Sequence, residues 1–268
     1  SVISRMPEAN KTSFNRSLKE TLDKDIDLVF TYSALETESK GVKIVKPKLS
    51  VISVVNSEKN YDITLPALYV SHVQNEEGHY LYRAEGDVDF LADTAKTGTK
   101  SKTFSLKYGK LEAEVKFAGG YTQLQKMHAE DLKLAEGRSG TMLISVAEIN
   151  SETVQKYENG KKLVQTKATY SKVAPGDMIK LFIGNLEPVD VKLDYAIEED
   201  VAEADKKAQA GKMDINAISI KMGDAGMEGN GNIAYNPSDE KAPPQGDMYV
   251  KFTQYHKVLT ILQKYFPM

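Results

Sequence analysis

The sequence predicts a mainly β protein, built as a large twisted antiparallel sheet with a few short helices. Three observations predict this class. Apolar and polar residues alternate with a period of two over most of the chain, Gly, Pro and Asn separate the alternating segments, and helical periodicity is confined to short stretches. This is the pattern of a meander, whose sheet is either curved like a groove or folded into two layers.

The composition removes several functional classes. The 268 residues carry a formal net charge of -3, so no basic surface for nucleic acid is expected. The chain has no cysteine and therefore neither a disulfide nor a thiolate metal site. No window approaches the roughly 18 consecutive apolar residues of a transmembrane helix. Because the sequence begins at Ser1 rather than Met, we expect it to be a processed or trimmed product from which a targeting segment has been removed.

The predicted organisation is a polar helical lead-in at 1–24 followed by one elongated β domain at 25–268. In the lead-in, Phe14, Leu18 and Leu22 recur every four residues, as on one face of a short helix. From residue 25 the period changes to two, which marks the start of the β domain.

The first half of the β domain is predicted to be a series of strands joined by turns. The segment 79–91 alternates without interruption and predicts one long strand. Residues 93–102 are rich in Thr, Lys and Gly and predict an exposed loop, and Gly119-Gly120 predicts a turn. The alternating segments are 28–32, 49–55, 61–65, 68–73, 79–91, 104–108 and 111–117.

The second half continues the meander and adds two predicted helices. Asn159-Gly160 predicts a tight hairpin turn. Residues 198–209 are acidic at the start and Lys-rich later, which favours a helix, and 254–266 shows a helical apolar face before Pro267. The alternating segments here are 142–149, 163–170, 178–183 and 189–197.

The C-terminal residues 213–266 form a cassette of three alternating segments followed by the last helix. The segments are 213–222, 227–235 and 246–252. In the second one, the odd positions share a face that includes Gly229 and Gly231. Glycine leaves that face without side chains, so this Gly-x-Gly predicts close approach of another element.

No residue pattern predicts catalysis, a bound metal or a cofactor. Nucleophile and phosphate-loop motifs are absent, and the glycines of 223–231 do not fit a dinucleotide-binding turn. His72 and His79 flank one turn, where they form either a facing pair or ordinary edge residues. Asp224, with Glu228 and Asn230, has some oxygen-ligand character but lacks the spacing of a calcium loop. We therefore expect a non-enzymatic protein.

The cassette resembles a group of bacterial envelope proteins. Its segment 218–235, the Pro243-Pro-Gln-Gly246 turn, the strand 247–252 and the helix 255–266 resemble AsmA-like and YdgA-like proteins, and more closely domain-of-unknown-function family 2125 of alphaproteobacteria. The resemblance implies a periplasmic location, an N-terminal membrane anchor outside this chain, a curved sheet with an apolar concave side, and no catalytic residues. In AsmA-like relatives such a groove is thought to carry lipid acyl chains.

The expected function is the binding of a lipid or another hydrophobic ligand along the sheet. The alternative is a closed core, in which case the protein is structural or binds an envelope partner through sheet edges or the Lys-rich segment 96–102. Strands with two different faces can leave an apolar face open. The candidate ligand-binding residues are Val88, Phe90, Val115, Ile233, Tyr235, Met248, Val250 and Phe252.

Overall fold

The computed structural model describes residues 26–53, 60–93, 102–137, 140–201, 208–239 and 241–265. These residues form one antiparallel sheet of 17 strands, which is not closed, and two short helices. The predicted mainly β class is therefore confirmed. The predicted lead-in at 1–24 and most of the loop at 93–102 lie outside the described residues.

The strands of the first half are short until β10. They are β1 (Ile26–Thr31), β2 (Ala34–Glu38), β3 (Gly41–Val45), β4 (Lys48–Ser53), β5 (Asn60–Thr64), β6 (Ala67–His72), β7 (His79–Glu85), β8 (Val88–Asp93), β9 (Lys102–Lys107) and β10 (Lys110–Ala118).

The later strands are longer, and both helices lie among them. They are β11 (Tyr121–Glu136), β12 (Thr141–Glu158), β13 (Lys161–Pro175), α1 (Asp177–Ile183), β14 (Val189–Val201), β15 (Ala208–Met222), β16 (Ala225–Tyr235), β17 (Gln245–Thr253) and α2 (Tyr255–Tyr265). Neither helix is long and apolar enough to cross a membrane, within the residues searched.

Two predicted elements have a different structure. The helix predicted at 198–209 is wrong in its described part, because β14 continues to Val201 and β15 begins at Ala208. Glu198 of this segment instead forms a cross-strand ion pair with Lys161 of the neighbouring strand β13. The strand predicted at 178–183 is helix α1, which ends where the Gly184 N–H donates to the Lys180 carbonyl, 2.7 Å away.

The chain divides into two compact units. Unit 1 takes in the described residues up to Ser145 together with Gly176–Ile179, and unit 2 comprises those of Val146–Pro175 and Lys180–Met268. Each unit consists mainly of neighbouring antiparallel strands.

In unit 1, the first ten strands are halves of longer segments, each interrupted near its middle. The interruptions fall at Tyr32-Ser33, Lys46-Pro47, Leu65-Pro66, Gly86-Asp87 and Tyr108-Gly109. They lie side by side: the Lys46 N–H donates to the Pro66 carbonyl at 2.8 Å, and the Leu65 N–H donates to the Pro47 carbonyl at 3.3 Å. A line of interruptions therefore crosses the sheet of unit 1.

The predicted long strand at 79–91 is divided by this line into β7 and β8. Gly86 has a φ of +83°, and a Cβ placed on it would lie 2.8 Å from Cδ of Pro66. The alternation of apolar residues continues through Gly86, so the period alone could not reveal the break.

The core of unit 1 is built around Ile44 and Val70. Their side chains are 2% and 5% exposed and lie on neighbouring strands β3 and β6. Partly buried residues pack around them from several strands: Phe30, Leu35, Val42, Leu68, Tyr80 and Tyr82. Burial of apolar surface of this kind is the main stabilising term for unit 1.

Unit 2 contains strands β13 to β17, paired in chain order, and helix α2. Its hairpins include the predicted Asn159-Gly160 turn, where both residues have positive φ angles of 53° and 73°. The buried apolar residues described in unit 2 are Ala168, Ile215 and Ala225. Most of the apolar side chains of this unit are thus half-buried or exposed.

Candidate functional site

The cross-strand registers of unit 2 align its apolar residues on one face. Leu193 of β14 lies opposite Ala168 and Ile218, and Ile218 lies opposite Gly229, which in turn lies opposite Val250. The neighbouring rows repeat this arrangement. The unit 2 apolar face comprises Val164, Ala168, Tyr170, Val173, Val189, Val191, Leu193, Tyr195, Ile197, Met213, Ile215, Ile218, Ile220, Met222, Ala225, Met227, Gly229, Gly231, Ile233, Tyr235, Met248, Val250 and Phe252.

The opposite face of the same strands is polar. Asp214 lies opposite Asn232, which lies opposite Asp247, and Lys221 lies opposite Gly226 beside the Lys221–Glu228 ion pair of 3.3 Å. The two faces of unit 2 therefore differ in chemistry. From strand spacing and rise, the apolar face measures about 20 Å across the strands and about 30 Å along them.

The apolar face is exposed along strand β17. All nine residues of β17 are exposed, and on the apolar side Met248, Val250 and Phe252 are 44%, 49% and 47% exposed. Ile220 on β15 is 39% exposed. A contiguous exposed apolar surface of this kind makes the face a candidate site for an apolar ligand or a partner.

Close approach at the Gly-x-Gly of β16 is confirmed. A Cβ placed on Gly231 would overlap the backbone carbonyl oxygen of Asp247 and lie 2.6 Å from Sδ of Met248. At Gly229 the nearest atom would be the Tyr249 carbonyl oxygen, 3.1 Å away. Strand β17 thus approaches β16 more closely at Gly231 than at Gly229, on the apolar face.

A polar contact bounds one end of the unit 2 apolar face. The Tyr235 ring extends from β16 across Gly211 of β15, and its hydroxyl donates to Glu199 Oε1 of β14 at 2.7 Å. Burial of the ring and this hydrogen bond both raise the pKa of the Tyr235 phenol. The contact connects three strands and ends the apolar rows at the end of the sheet near residue 235.

Replacing Tyr235 with Phe is expected to lower the free energy of unfolding by about 1 kcal/mol at neutral pH, because the Glu199 carboxylate loses its donor while the ring packing remains. Urea unfolding followed by circular dichroism measures the change. Tyr249→Phe is the control, since Tyr249 is 75% exposed. Equal effects of the two substitutions would show that the Tyr235–Glu199 hydrogen bond contributes nothing.

The predicted ligand-binding residues separate into two groups. Five of them, Ile233, Tyr235, Met248, Val250 and Phe252, share the unit 2 apolar face. The other three belong to unit 1, where Val88 is buried at 7% exposure and Phe90 and Val115 are half-buried. Phe90 lies in register between Ile63 and Phe104, within an apolar row of unit 1.

The two histidines that flank one turn have different partners. The His72 ring lies edge-on to Tyr80, with centroids 5.5 Å apart. His79 Nδ1 contacts Glu76 and its Nε2 lies 2.6 Å from Glu114. His72 and His79 therefore do not form a facing pair.

Two of the residues considered as calcium ligands, Asp224 and Glu228, have lysine partners. Asp224 lies 2.5 Å from Lys257 Nζ, an interaction that lowers the pKa of this exposed carboxyl, and Glu228 is paired with Lys221. Across the described ranges, no three His, Asp or Glu side chains converge as a metal site would require.

Sequence reasoning missed the exposed apolar residues of α1. Leu181 and Phe182 are 84% and 83% exposed, the highest values among the large apolar residues described. A helical signal was present in Asp177 at the first turn and Gly184 at the C-terminal cap. The dense apolar sequence between them fits a strand equally well, so the local pattern does not distinguish the helix from a strand.

Comparison with known proteins gave no match to this chain, whether with protein-family models, with curated proteins or with solved structures. The resemblance of the C-terminal cassette to envelope proteins stays a prediction. A functional assignment for this protein therefore depends on the geometry of unit 2.

Proposed function

We propose that this protein is a non-enzymatic binding protein for a lipid, or for another elongated hydrophobic ligand, held on the unit 2 apolar face. The observation that carries the proposal is the in-register apolar surface across five strands, whose β17 side chains are about half exposed. Covering such a surface with an apolar molecule lowers the free energy by about 25 cal/mol for each Å² of apolar surface removed from water.

The shape of this surface favours an extended ligand. The unit 2 apolar face extends about 30 Å along the strands, and the Tyr235–Glu199 contact places a polar group at one end of it. An acyl chain is long, narrow and without hydrogen-bonding groups, so it matches the rows. A polar head group at the end near Tyr235 would have the phenol and carboxylate within reach.

Location in the bacterial cell envelope belongs to the same proposal. The support for it is the resemblance of residues 218–266 to AsmA-like and YdgA-like proteins and to domain-of-unknown-function family 2125. A membrane anchor in a longer parent protein is a further part of this expectation.

The second candidate is a structural or interaction protein with no small ligand. The observation that favours it is strand β17, where all nine residues are exposed on both faces of the sheet. An exposed strand with an apolar side is a typical site of association between protein surfaces. The two candidate functions differ in what covers the exposed apolar residues of β17: a lipid in the first and a protein surface in the second.

Titration with a fluorescent fatty acid, combined with native mass spectrometry of gently purified protein, tests the first candidate. We expect saturable binding near one ligand per chain, with a Kd on the order of 10⁻⁶ M, because ordering costs offset part of the apolar gain. A linear, non-saturating signal together with a ligand-free mass would contradict lipid binding. A concentration-dependent dimer in the same spectra would favour the second candidate.

A further inference from the structure

Strands β15 to β17 form an open concavity on the polar face of unit 2. Its volume is about 450 Å³, within the range of about 300–1,000 Å³ that is usual for small-molecule sites. The polar residues that line it are Asp214, Asn216, Asn230, Asn232, Asp247 and Tyr249. This polar concavity lies on the side of the sheet opposite to the unit 2 apolar face, so it is separate from the surface proposed to bind a lipid.

Two cross-strand rows place five of these residues side by side. Asp214 lies opposite Asn232, which lies opposite Asp247. In the neighbouring row, Asn230 lies opposite Tyr249. From strand spacing and rise, the first row is about 10 Å wide and the two rows are about 7 Å apart. The polar concavity therefore offers its side chains over an area that suits one or two sugar rings.

The composition of the polar concavity is unusual for the middle of a sheet. Five of its six polar lining residues are Asp or Asn, which are depleted in strands. Asn216 stands in the bulge that interrupts the pairing of β15 with β16, and bulges often re-aim side chains beside binding sites. Residues that oppose the local strand preference in this way are expected where a ligand requires them.

Three of the polar side chains are available to a ligand. Asn230, Asn232 and Asp247 are exposed, and within the part of the chain that the structure describes their side chains have no hydrogen-bond or ion-pair partner. Elsewhere on the same face, charged residues pair across strands, as Lys221 does with Glu228 at 3.3 Å. The polar concavity thus differs from the surrounding polar surface in leaving its groups unpaired.

The two remaining Asp and Asn side chains each have one partner. Asp214 Oδ2 lies 3.4 Å from Lys212 Nζ, and Asn216 Nδ2 donates to Asp194 Oδ1 at 3.1 Å. Each contact uses one polar atom and orients the side chain. The other oxygen of each side chain remains as an acceptor for a ligand.

These side chains fit a neutral ligand that is rich in hydroxyl groups. An amide donates and accepts hydrogen bonds and a carboxylate accepts them, while a sugar hydroxyl does both. Among the described residues that line the polar concavity, the charged ones are two carboxylates, Asp214 and Asp247, which disfavour an anion. Two carboxylates do not form a metal site, and no third acidic or His side chain converges with them in the described ranges.

The exposed ring of Tyr249 supplies the other surface that a sugar needs. Tyr249 is 75% exposed and lines the polar concavity beside Asn230. One face of a pyranose ring presents C–H groups, which pack on the face of an aromatic ring while the hydroxyls at the rim form hydrogen bonds. An aromatic ring beside unpaired amides and carboxylates therefore matches both parts of a sugar.

We propose that the polar concavity binds a neutral oligosaccharide. Asn230, Asn232 and Asp247 form hydrogen bonds with its hydroxyls, and the ring of Tyr249 packs against one sugar ring. The site is open and its groups are hydrated in the free protein, so each hydrogen bond with the sugar replaces one with water. The expected affinity is therefore modest, with a Kd on the order of 10⁻⁴ M.

Isothermal titration calorimetry of the full 268-residue chain with maltotriose, cellotriose and chitotriose, each in turn, tests the proposal. We expect saturable binding of at least one of them. The variant Asn230→Leu/Asn232→Leu removes the amides at similar side-chain volume and should weaken that binding at least about tenfold. Both positions are exposed, so the variant should fold, which circular dichroism checks.

Matched variants separate the two parts of the site. Tyr249→Ala should weaken binding about tenfold, whereas Tyr249→Phe keeps the ring and should stay within about threefold of wild type. The control Lys251→Leu/Thr253→Leu adds two leucines to the same face of β17 outside the polar concavity. Its Kd should stay within about twofold of wild type.

Four outcomes would overturn the proposal: no binding of any of the three trisaccharides, unchanged binding by the Asn230→Leu/Asn232→Leu variant, an equal loss in the control, or loss of wild-type binding in EDTA. The last would show that a metal ion mediates recognition. Fatty-acid binding is measured on the same variants and should not change, because the two sites lie on opposite faces of the sheet. Failure of sugar binding and failure of the proposed lipid-binding function are therefore distinguishable.

Discussion

Replacing Val250 and Phe252 together with Asp is expected to weaken fatty-acid binding about a hundredfold. Each side chain contributes about 1–2 kcal/mol when the exposed half of its surface is covered by a ligand, and a carboxylate in its place must be desolvated beside the acyl chain. A combined loss near 3 kcal/mol corresponds to that change in Kd. Fluorescence titration of wild type and variant with the same fatty acid measures it.

The double variant should remain folded, because Val250 and Phe252 are 49% and 47% exposed in the native protein. The matched control is Tyr249→Asp/Thr253→Asp, which adds the same two charges to the opposite face of β17. We expect its Kd to stay within about twofold of wild type. A similar loss in both variants would place the ligand elsewhere, and no loss in either would exclude the β17 part of the apolar face.

The fold class and the faces of the C-terminal strands could be predicted because a period of two is visible within each segment. Met248, Val250 and Phe252 share a face in any regular strand, as do Gly229 and Gly231. Alternation is a local property, so it needs no knowledge of neighbouring strands.

The continuity of the apolar face across five strands could not be predicted in the same way. It depends on registers such as Leu193 opposite Ile218, and a shift of one residue in any pair would turn that strand over. Bulges at Ile215/Ile218 and Tyr170/Val173 adjust these registers, and neither has a sequence signature.

The wrong helix at 198–209 shows how charge can mislead. Its acidic start favours a helix through the helix dipole, but Glu198 and Glu199 point to opposite faces of β14 and have partners on other strands, Lys161 and Tyr235. Those partners are 37 and 36 residues away in the sequence. Pairing at that distance is invisible to a local pattern.

A methyl group at Gly231 is expected to destabilise the protein by about 2–3 kcal/mol. A Cβ there would overlap the Asp247 carbonyl oxygen and come within 2.9 Å of the Met248 Cα atom. Both are backbone atoms of β17, so no side-chain rotation relieves the conflict and the strand must move. Gly231→Ala should therefore lower the urea midpoint and, since Met248 and Val250 shift with β17, weaken fatty-acid binding as well.

Gly229→Ala provides the comparison, because it lies on the same strand and face. Its Cβ would meet the Tyr249 carbonyl oxygen at 3.1 Å, which a displacement of β17 by a few tenths of an ångström relieves. We expect a cost below about 1 kcal/mol, partly offset by the smaller backbone entropy of the unfolded alanine chain. Equal costs at the two positions would mean that β17 does not approach Gly231 as closely as the structure shows. A clear excess at Gly231 would establish that the Gly-x-Gly of β16 is required by the neighbouring strand, and would tie the stability of β17 to the surface proposed to bind the ligand.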